Sequence, residues 1–252
     1  MELFYRKQGE GRNIIILHGL FGSSDNWMTI AKMLADEYTV WTIDQRNHGQ
    51  SPHSDDFTYE AMAGDLMEFI EDHNIHEPYL IGHSMGGKTV MEFLIRGHLI
   101  VPGAIIADIG PKAYPVHHQK ILDGLNSIDI EKAKGRKEIE DQLKAYIPEF
   151  GIRAFLLKNV KRKEDGSYEW SVNLPVITEQ IENVGKGYSD NHIYQGEVLF
   201  LRGGKSEYIK DEDFKFIKKI FPKAELETIE NSGHWLHAEQ PEPFVEIVRN
   251  HF

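Results

Sequence analysis

The chain contains no cysteine. That absence excludes disulfides, a thiolate nucleophile and any zinc site built on Cys. Long apolar runs are also missing. The longest pure run near the N-terminus is "IIIL", residues 14–17, against the roughly 20 residues a membrane-spanning helix needs. The opening "MELFYRKQGEGRN" lacks a basic segment followed by an apolar stretch and a small-residue cleavage site. No secretion signal is expected, and the expected location is cytoplasmic. There is no basic surplus: the formal net charge is −12, which argues against nucleic-acid partners. No His-Glu-x-x-His or comparable spacing occurs, so a metal site is not expected.

What is present is enough for one substantial core. The chain has 252 residues, 40% of them hydrophobic, which suits a single core or one core with a modest insertion. The charge is uneven. Residues 111–190 carry 13 Lys and Arg against 13 Asp and Glu, so the whole surplus of acid lies outside them.

Short apolar runs bounded by turn residues recur at "IIIL" (14–17), "YTVWTI" (38–43), "YLIG" (79–82), "AIIA" (104–107), "EVLFL" (197–201) and "AELETI" (224–229). Their length and β-branched content predict strands buried on both faces, as in a parallel sheet. Helical patterns separate them. Tyr59, Met62, Ala63, Leu66, Phe69 and Ile70 follow helical spacing behind Thr58 as N-cap. Pro241 and Pro243 flank the start of a last helix with Phe244, Ile247 and Val248 on its apolar face. Alternating strands and helices define an α/β sheet with right-handed crossovers. The alternation stops at residue 110, and to about 190 the pattern reads as helical with no clear strand. The expected organisation is a core of residues 1–110 and 191–252 with a cap of residues 111–190 over the C-terminal edge of the sheet, where ligands bind.

Three motifs carry chemistry. "GHSMG", residues 82–86, follows a strand and precedes a helical run. A reversal that tight forces the serine into strained backbone and tolerates only Gly on either side. Ser84 is the candidate nucleophile. "HGLFGS", residues 18–23, follows the strand "IIIL". Its Leu20 amide, together with the Met85 amide, is the candidate oxyanion hole for a tetrahedral intermediate. "NSGHWLHAEQPE", residues 231–242, lies between the last strand and the last helix. His234 there stands where a triad base follows in the order Ser, acid, His. His237 is read as a structural hydrogen-bonding residue. His117, His118, His73 and His76 are read as solvated polar positions.

With "ILHGLFGSSDNW", "DQRNHGQS" (44–51), "LIGHSMGGKTV" (80–90) and "SGHWLHAEQPE" in view, nearly the whole chain resembles the α/β-hydrolase superfamily. The likeness is greatest to the branch of small bacterial serine esterases related to the abhydrolase-domain proteins, some of which also cleave acyl-CoA thioesters. The resemblance implies a mostly parallel, roughly eight-stranded sheet flanked by helices, with a helical cap inserted after the sixth strand. It implies ester hydrolysis without a cofactor, and "DQRNHGQS" shaping the pocket floor.

One position departs from the family pattern. Many members carry Gly-x-x-Asp after the seventh strand, and the Asp orients the histidine. Counting from Gly203, that position is Ser206, whose uncharged hydroxyl cannot stabilise an imidazolium as a carboxylate does. Glu207 and Asp108 both fit the chain order. Asp108 is favoured, because it directly follows the strand "AIIA" and the resembling branch is similar in carrying "DI-P" after this strand and placing its acid there. Asp44 precedes Ser84 and is excluded by order.

The expected reaction is cleavage of carboxylic esters of small to medium acyl chains by Ser84, His234 and Asp108 through an acyl-enzyme. Phe21, Trp235, Phe155 and Trp170 are the candidate substrate-binding residues, with "EFGIRAFLLKNV" (149–160) offering an acyl pocket and "KNVKRK" (158–163) local positive charge. Partners are expected to be a small-molecule ester or thioester, with no nucleic acid and no membrane, as a monomer or dimer. Thioester hydrolysis, C–C bond hydrolysis or lyase chemistry on the same residues, and a non-catalytic binding role, are the competing readings. Turnover of p-nitrophenyl esters separates the C–C hydrolase and lyase readings, and fluorophosphonate labelling of Ser84 the last.

Overall fold

The structure, a computed structural model, describes residues 1–115, 118–189 and 191–252. Its strands are β1 (Tyr5–Gln8), β2 (Arg12–Leu17), β3 (Tyr38–Ile43), β4 (Tyr79–His83), β5 (Ala104–Ala107), β6 (Val160–Arg162), β7 (Tyr168–Trp170), β8 (Val198–Gly203) and β9 (Glu225–Ile229). The helices are α1 (Met28–Leu34), α2 (Tyr59–Asp72), α3 (Met85–Arg96), α4 (Gln119–Asn126), α5 (Arg136–Leu143), α6 (Phe150–Leu156), α7 (Leu174–Glu179), α8 (Ile181–Val184), α9 (Phe214–Ile220), α10 (Leu236–Glu239) and α11 (Pro241–His251). No helix among the described residues is long and apolar enough to cross a membrane.

The main sheet has seven strands in the order β1-β3-β2-β4-β5-β8-β9. Every neighbouring pair is parallel except β1 with β3, which is antiparallel. The expected count of about eight is therefore corrected to seven, and the insertion follows the fifth strand of the chain rather than the sixth. β1, "YRKQ", escaped the sequence reading because it is a short, polar edge strand that presents no apolar run. The run "AELETI" also differs from expectation. β9 is an edge strand with alternating exposure, not one buried on both faces, because β8 alone pairs with it.

Period-two alternation sorts the central strands onto two cores. Ile15, Leu17, Leu80 and Ile106 pack with Leu66 and Phe69 of α2 and Val90 and Phe93 of α3. Ile14, Ile16, Ile81 and Ile105 face the opposite way, onto Ile30 and Leu34 of α1 and Phe244 and Val248 of α11. Helix α2 starts as its sequence indicates, with the Thr58 hydroxyl accepting the Ala61 amide at 3.3 Å.

Between β5 and β8 the chain leaves the sheet and forms α4–α8. It also forms a strand pair, β6 with β7, which corrects the expectation of no strand there. Three-residue strands carry too little periodicity to be seen. A third apolar cluster joins this insert to the sheet. Leu122, Leu143, Leu156 and Ile177 from the insert pack with Leu20, Phe21 and Met85 from the loops at the sheet edge.

Candidate active site

Five loops at the C-terminal edge of the main sheet contribute a residue held in left-handed backbone. Phe21 follows β2, Asn47 follows β3, Ser84 follows β4, Asp108 follows β5 and Asn231 follows β9, with φ between 51° and 64°. Such conformations cost about 1–3 kcal/mol each and cluster where a fold aims side chains. The tertiary structure therefore over-determines this one edge.

Ser84 sits between β4 and α3 with φ 52° and ψ −116°, and its N–H donates to Ala107 O at 3.0 Å. The flanking glycines are required by close backbone approach. A Cβ on Gly82 would lie 2.3 Å from Gly86 O, and one on Gly86 would lie 2.3 Å from Leu17 O. The serine is thus presented at the N-terminus of α3, facing the loop that carries Gly19 and Leu20.

Asp108 is fully buried. Its Oδ2 accepts from His234 Nδ1 at 2.7 Å and from the Ser206 hydroxyl, while Oδ1 accepts from the Gly203 amide at 3.2 Å. A buried carboxylate with three donors is solvated by the protein in its charged form. Because Nδ1 of His234 donates to that carboxylate, Nε2 carries the free lone pair in the neutral ring. The ring also stacks on Tyr208, with centroids 4.0 Å apart, and the His234 carbonyl accepts from His83 Nε2 at 2.7 Å. Glu207, the rival acid, lies elsewhere. Its side chain is 86% exposed and pairs with Lys210 at 3.2 Å.

The loop after β2 is held from both sides. The Phe21 amide donates to His48 Nε2 at 3.1 Å, and the Phe21 carbonyl accepts from Asn159 Nδ2 of the insert at 2.8 Å. The Phe21 amide is thereby committed. Leu20 and Met85 line a cavity of about 30 Å³ that reaches Ser84. "DQRNHGQS" supports this loop instead of forming a pocket floor, which corrects the expectation drawn for it. Asp44 accepts the Ser24 amide at 2.6 Å and the Gln50 amide at 2.8 Å. The Gly49 carbonyl accepts from Lys161 at 2.6 Å and the Asn47 carbonyl from the Asn173 amide at 2.9 Å, so the same segment ties the insert down.

A cavity of about 530 Å³ opens on Ser84 and His234. Phe21, Trp235 and Phe155 line it, as does α6 through Ile152 and Leu156. Trp170, the fourth expected contact, is not among its lining residues. It sits on β7 opposite Val160 and packs into the insert's own apolar cluster. Of the basic run, Lys158 lines the cavity, whereas Lys161 binds the Gly49 carbonyl and Lys163 pairs with Glu131.

Buried histidines surround the site without adding charge. Burial pushes His18 down to about 4 and, with His18 nearby, His48 down to about 3. Burial and the neighbouring His234 push His237 down to about 3 and hold His83 well below the ordinary histidine range. All four stay neutral at neutral pH, so none opposes a positive charge on His234. His237 stacks on Trp27 at 4.0 Å, and its buried Nδ1 has no hydrogen-bond partner among the described residues. His73 differs from its solvated reading: it stacks on Phe69 and donates to the Phe69 carbonyl. His117 lies outside the described residues, and His118 lines the cavity. No group of three or more potential metal ligands occurs among the described residues.

A seven-stranded, mostly parallel sheet with a serine elbow after β4, a carboxylate after β5 and a histidine after β9 is the α/β-hydrolase architecture. Residues 12–241 match the family described as alpha/beta hydrolase fold, and the chain belongs to it. It is 35% identical over 249 residues to the sn-1-specific diacylglycerol lipase ABHD11 of Danio rerio, covering 96% of this chain and 78% of that one. It is 32% identical to esterase YbfF of Escherichia coli, covering 98% and 95% respectively. A solved marine microorganism esterase superposes with a TM-score of 0.96 at 49% identity, covering 100% of this chain and 99% of the other.

Proposed function

We propose that Ser84, His234 and Asp108 form the catalytic triad of a serine esterase. The protein is a carboxylic ester hydrolase, like its esterase and lipase relatives. The observation that carries the residue assignment is the 2.7 Å hydrogen bond from His234 Nδ1 to the buried Asp108 carboxylate. It fixes the tautomer a general base needs.

In this reading Ser84 attacks the acyl carbonyl as His234 Nε2 takes its proton. The amides of Leu20 and Met85 bind the oxyanion, and Asp108 stabilises the imidazolium. His234 then protonates the leaving alcohol. Water, activated by the same nitrogen, releases the acid and restores Ser84. The segment 111–190 acts as a cap on the core of residues 1–110 and 191–252. Phe155, Trp235 and Phe21 hold the apolar part of a small-molecule ester of small to medium chain length, which a cavity of about 530 Å³ accommodates. Lys158 at that cavity favours a second substrate class, acyl thioesters with an anionic leaving group.

The test is turnover of p-nitrophenyl acetate through octanoate by the purified protein, with fluorophosphonate labelling of Ser84. Turnover with a labelled Ser84 is expected. Failure on every chain length sinks the reading.

A further inference from the structure

Lys88 stands one turn past the nucleophile on α3, where its amide donates to Ser84 O at 3.1 Å. It is fully buried, and the chemistry above makes no use of it. Its ammonium meets main-chain oxygens. Nζ donates to the carbonyls of Lys112 and Lys186, 2.7 Å each, and stands over the rings of Tyr114 and Tyr188 at 5.3 and 5.1 Å.

Those two carbonyls belong to opposite ends of the 111–190 segment. The two stems also bond to each other, Tyr114 N–H to Gly185 O and Tyr188 N–H to Pro111 O, both at 2.8 Å. The Tyr188 hydroxyl closes the ring by donating to the Lys88 carbonyl at 2.8 Å. The neck so formed leads back to the site. Tyr114 OH donates to the Tyr208 carbonyl at 2.7 Å, and the Tyr208 ring lies on His234.

A buried ammonium costs several kcal/mol of desolvation unless its contacts recover it. Burial and the nearby Lys112 lower its pKa to about 7, while the carbonyls and ring faces favour the charged form. A Met would fill the same space without that cost. What the charge adds is the ability to gather two carbonyls, one from each stem, onto one point of the nucleophile's own helix.

We propose that Lys88 is a positioning residue that closes the neck of the 111–190 segment and fixes where its cavity wall stands relative to Ser84. The wall in question is Ile152, Phe155 and Leu156 of α6. The consequence for substrates rests on the esterase reading above. Long acyl chains reach that wall and acetyl groups do not, so neck closure governs chain-length discrimination.

The experiment compares wild type with Lys88→Met by two readouts. Amide exchange at Tyr114 and Tyr188 should quicken by about tenfold in the variant, while the amides of β4 and β5 keep their protection. The ratio of kcat/KM for p-nitrophenyl octanoate over acetate should fall by about fivefold. A purely structural lysine would lower thermal stability and slow both esters alike. Gly187→Ala gives a second route with Lys88 intact, because a Cβ there would lie 2.6 Å from Ala113 N and part the stems. It should move both readouts in the same direction and carries the test if Lys88→Met does not fold. Wild-type exchange at the two tyrosine amides, or an unchanged ratio, in a folded variant overturns the proposal. Absence of esterase turnover by wild type would fail the esterase reading alone, with the exchange readout still deciding the neck.

Discussion

The two walls of the cavity are made in different ways. On the sheet side, Ser84, Asp108 and His234 sit at strand ends and are fixed by main-chain geometry within a few residues of β4, β5 and β9. On the insert side, α6 and Asn159 reach the site through side-chain contacts to distant segments, Phe155 against Trp235 and Asn159 to the Phe21 carbonyl. The first wall is rigid because a parallel sheet leaves its strands no freedom of register. The second is held by side chains reaching across to the core, among them Asn159, Lys161, Asn173, Gln180, Asn183 and Lys88, and by the shared apolar cluster. In the proposed reading, chemistry belongs to the sheet-side wall and chain-length selection to the insert-side wall.

That contrast is testable by breaking each wall separately. On the sheet side, Asp108→Asn should lower kcat by about 10³–10⁴, with the wrong histidine tautomer favoured. Glu207→Gln should stay within about twofold of wild type, since surface residues away from the chemistry rarely matter. Steady-state kinetics on p-nitrophenyl butyrate reads both, and the reverse ranking would reassign the acid. The loop after β2, the proposed oxyanion loop, is shared by the walls. His48→Ala should cost about 10² in kcat, as misplacement by about an ångström does. Asn159→Ala, the insert-side hold on the same residue, should cost less, about tenfold.

The buried histidines all belong to the sheet side, and they make it acid-sensitive. A folded-state pKa of about 3 for His237 lies below the unfolded value near 6.5. Between the two, the unfolded chain binds more protons. Its stabilising share is therefore complete above pH 6.5 and is lost as pH falls toward 3. At pH 5 the loss is about 2 kcal/mol for such a site. Urea unfolding at pH 7 and pH 5 should show His237→Phe losing that much less than wild type. The last test belongs to the insert. Phe155→Ala should raise KM for the octanoate about tenfold while leaving the acetate within about twofold, by loss of apolar contact. Equal effects on both esters would place Phe155 outside the acyl pocket.

Much of the sheet side was legible in the sequence. Local rules decide it: apolar runs of strand length, glycines where no Cβ fits, a serine between them. Asp108 could be ranked above Glu207 because it follows "AIIA" directly, and strand ends are where side chains are delivered. The insert was legible only as a gap in the alternation. β6 and β7 are too short to show a period, and Trp170 looked like a pocket residue because an aromatic in a polar stretch gives no clue to which cluster it joins. Asn159 carried no signal at all, since its partner is a carbonyl 138 positions away. His48 was visible inside "DQRNHGQS", but nothing in that motif tells whether it faces a substrate or a loop amide.

The sequence by itself singled out Ser84, Asp108 and His234 as the proposed triad, in that order, and the edge of the sheet where they stand, because those depend on spacing along one strand and its turn. Only the tertiary structure decided what Ser206 does. Standing where many relatives carry the acid, it donates to Asp108 beside His234. Only the tertiary structure decided, too, that a lysine on the nucleophile's helix gathers both stems of the insert. Each depends on backbone and side-chain atoms brought together from distant segments, and no spacing along a chain encodes a distance across it.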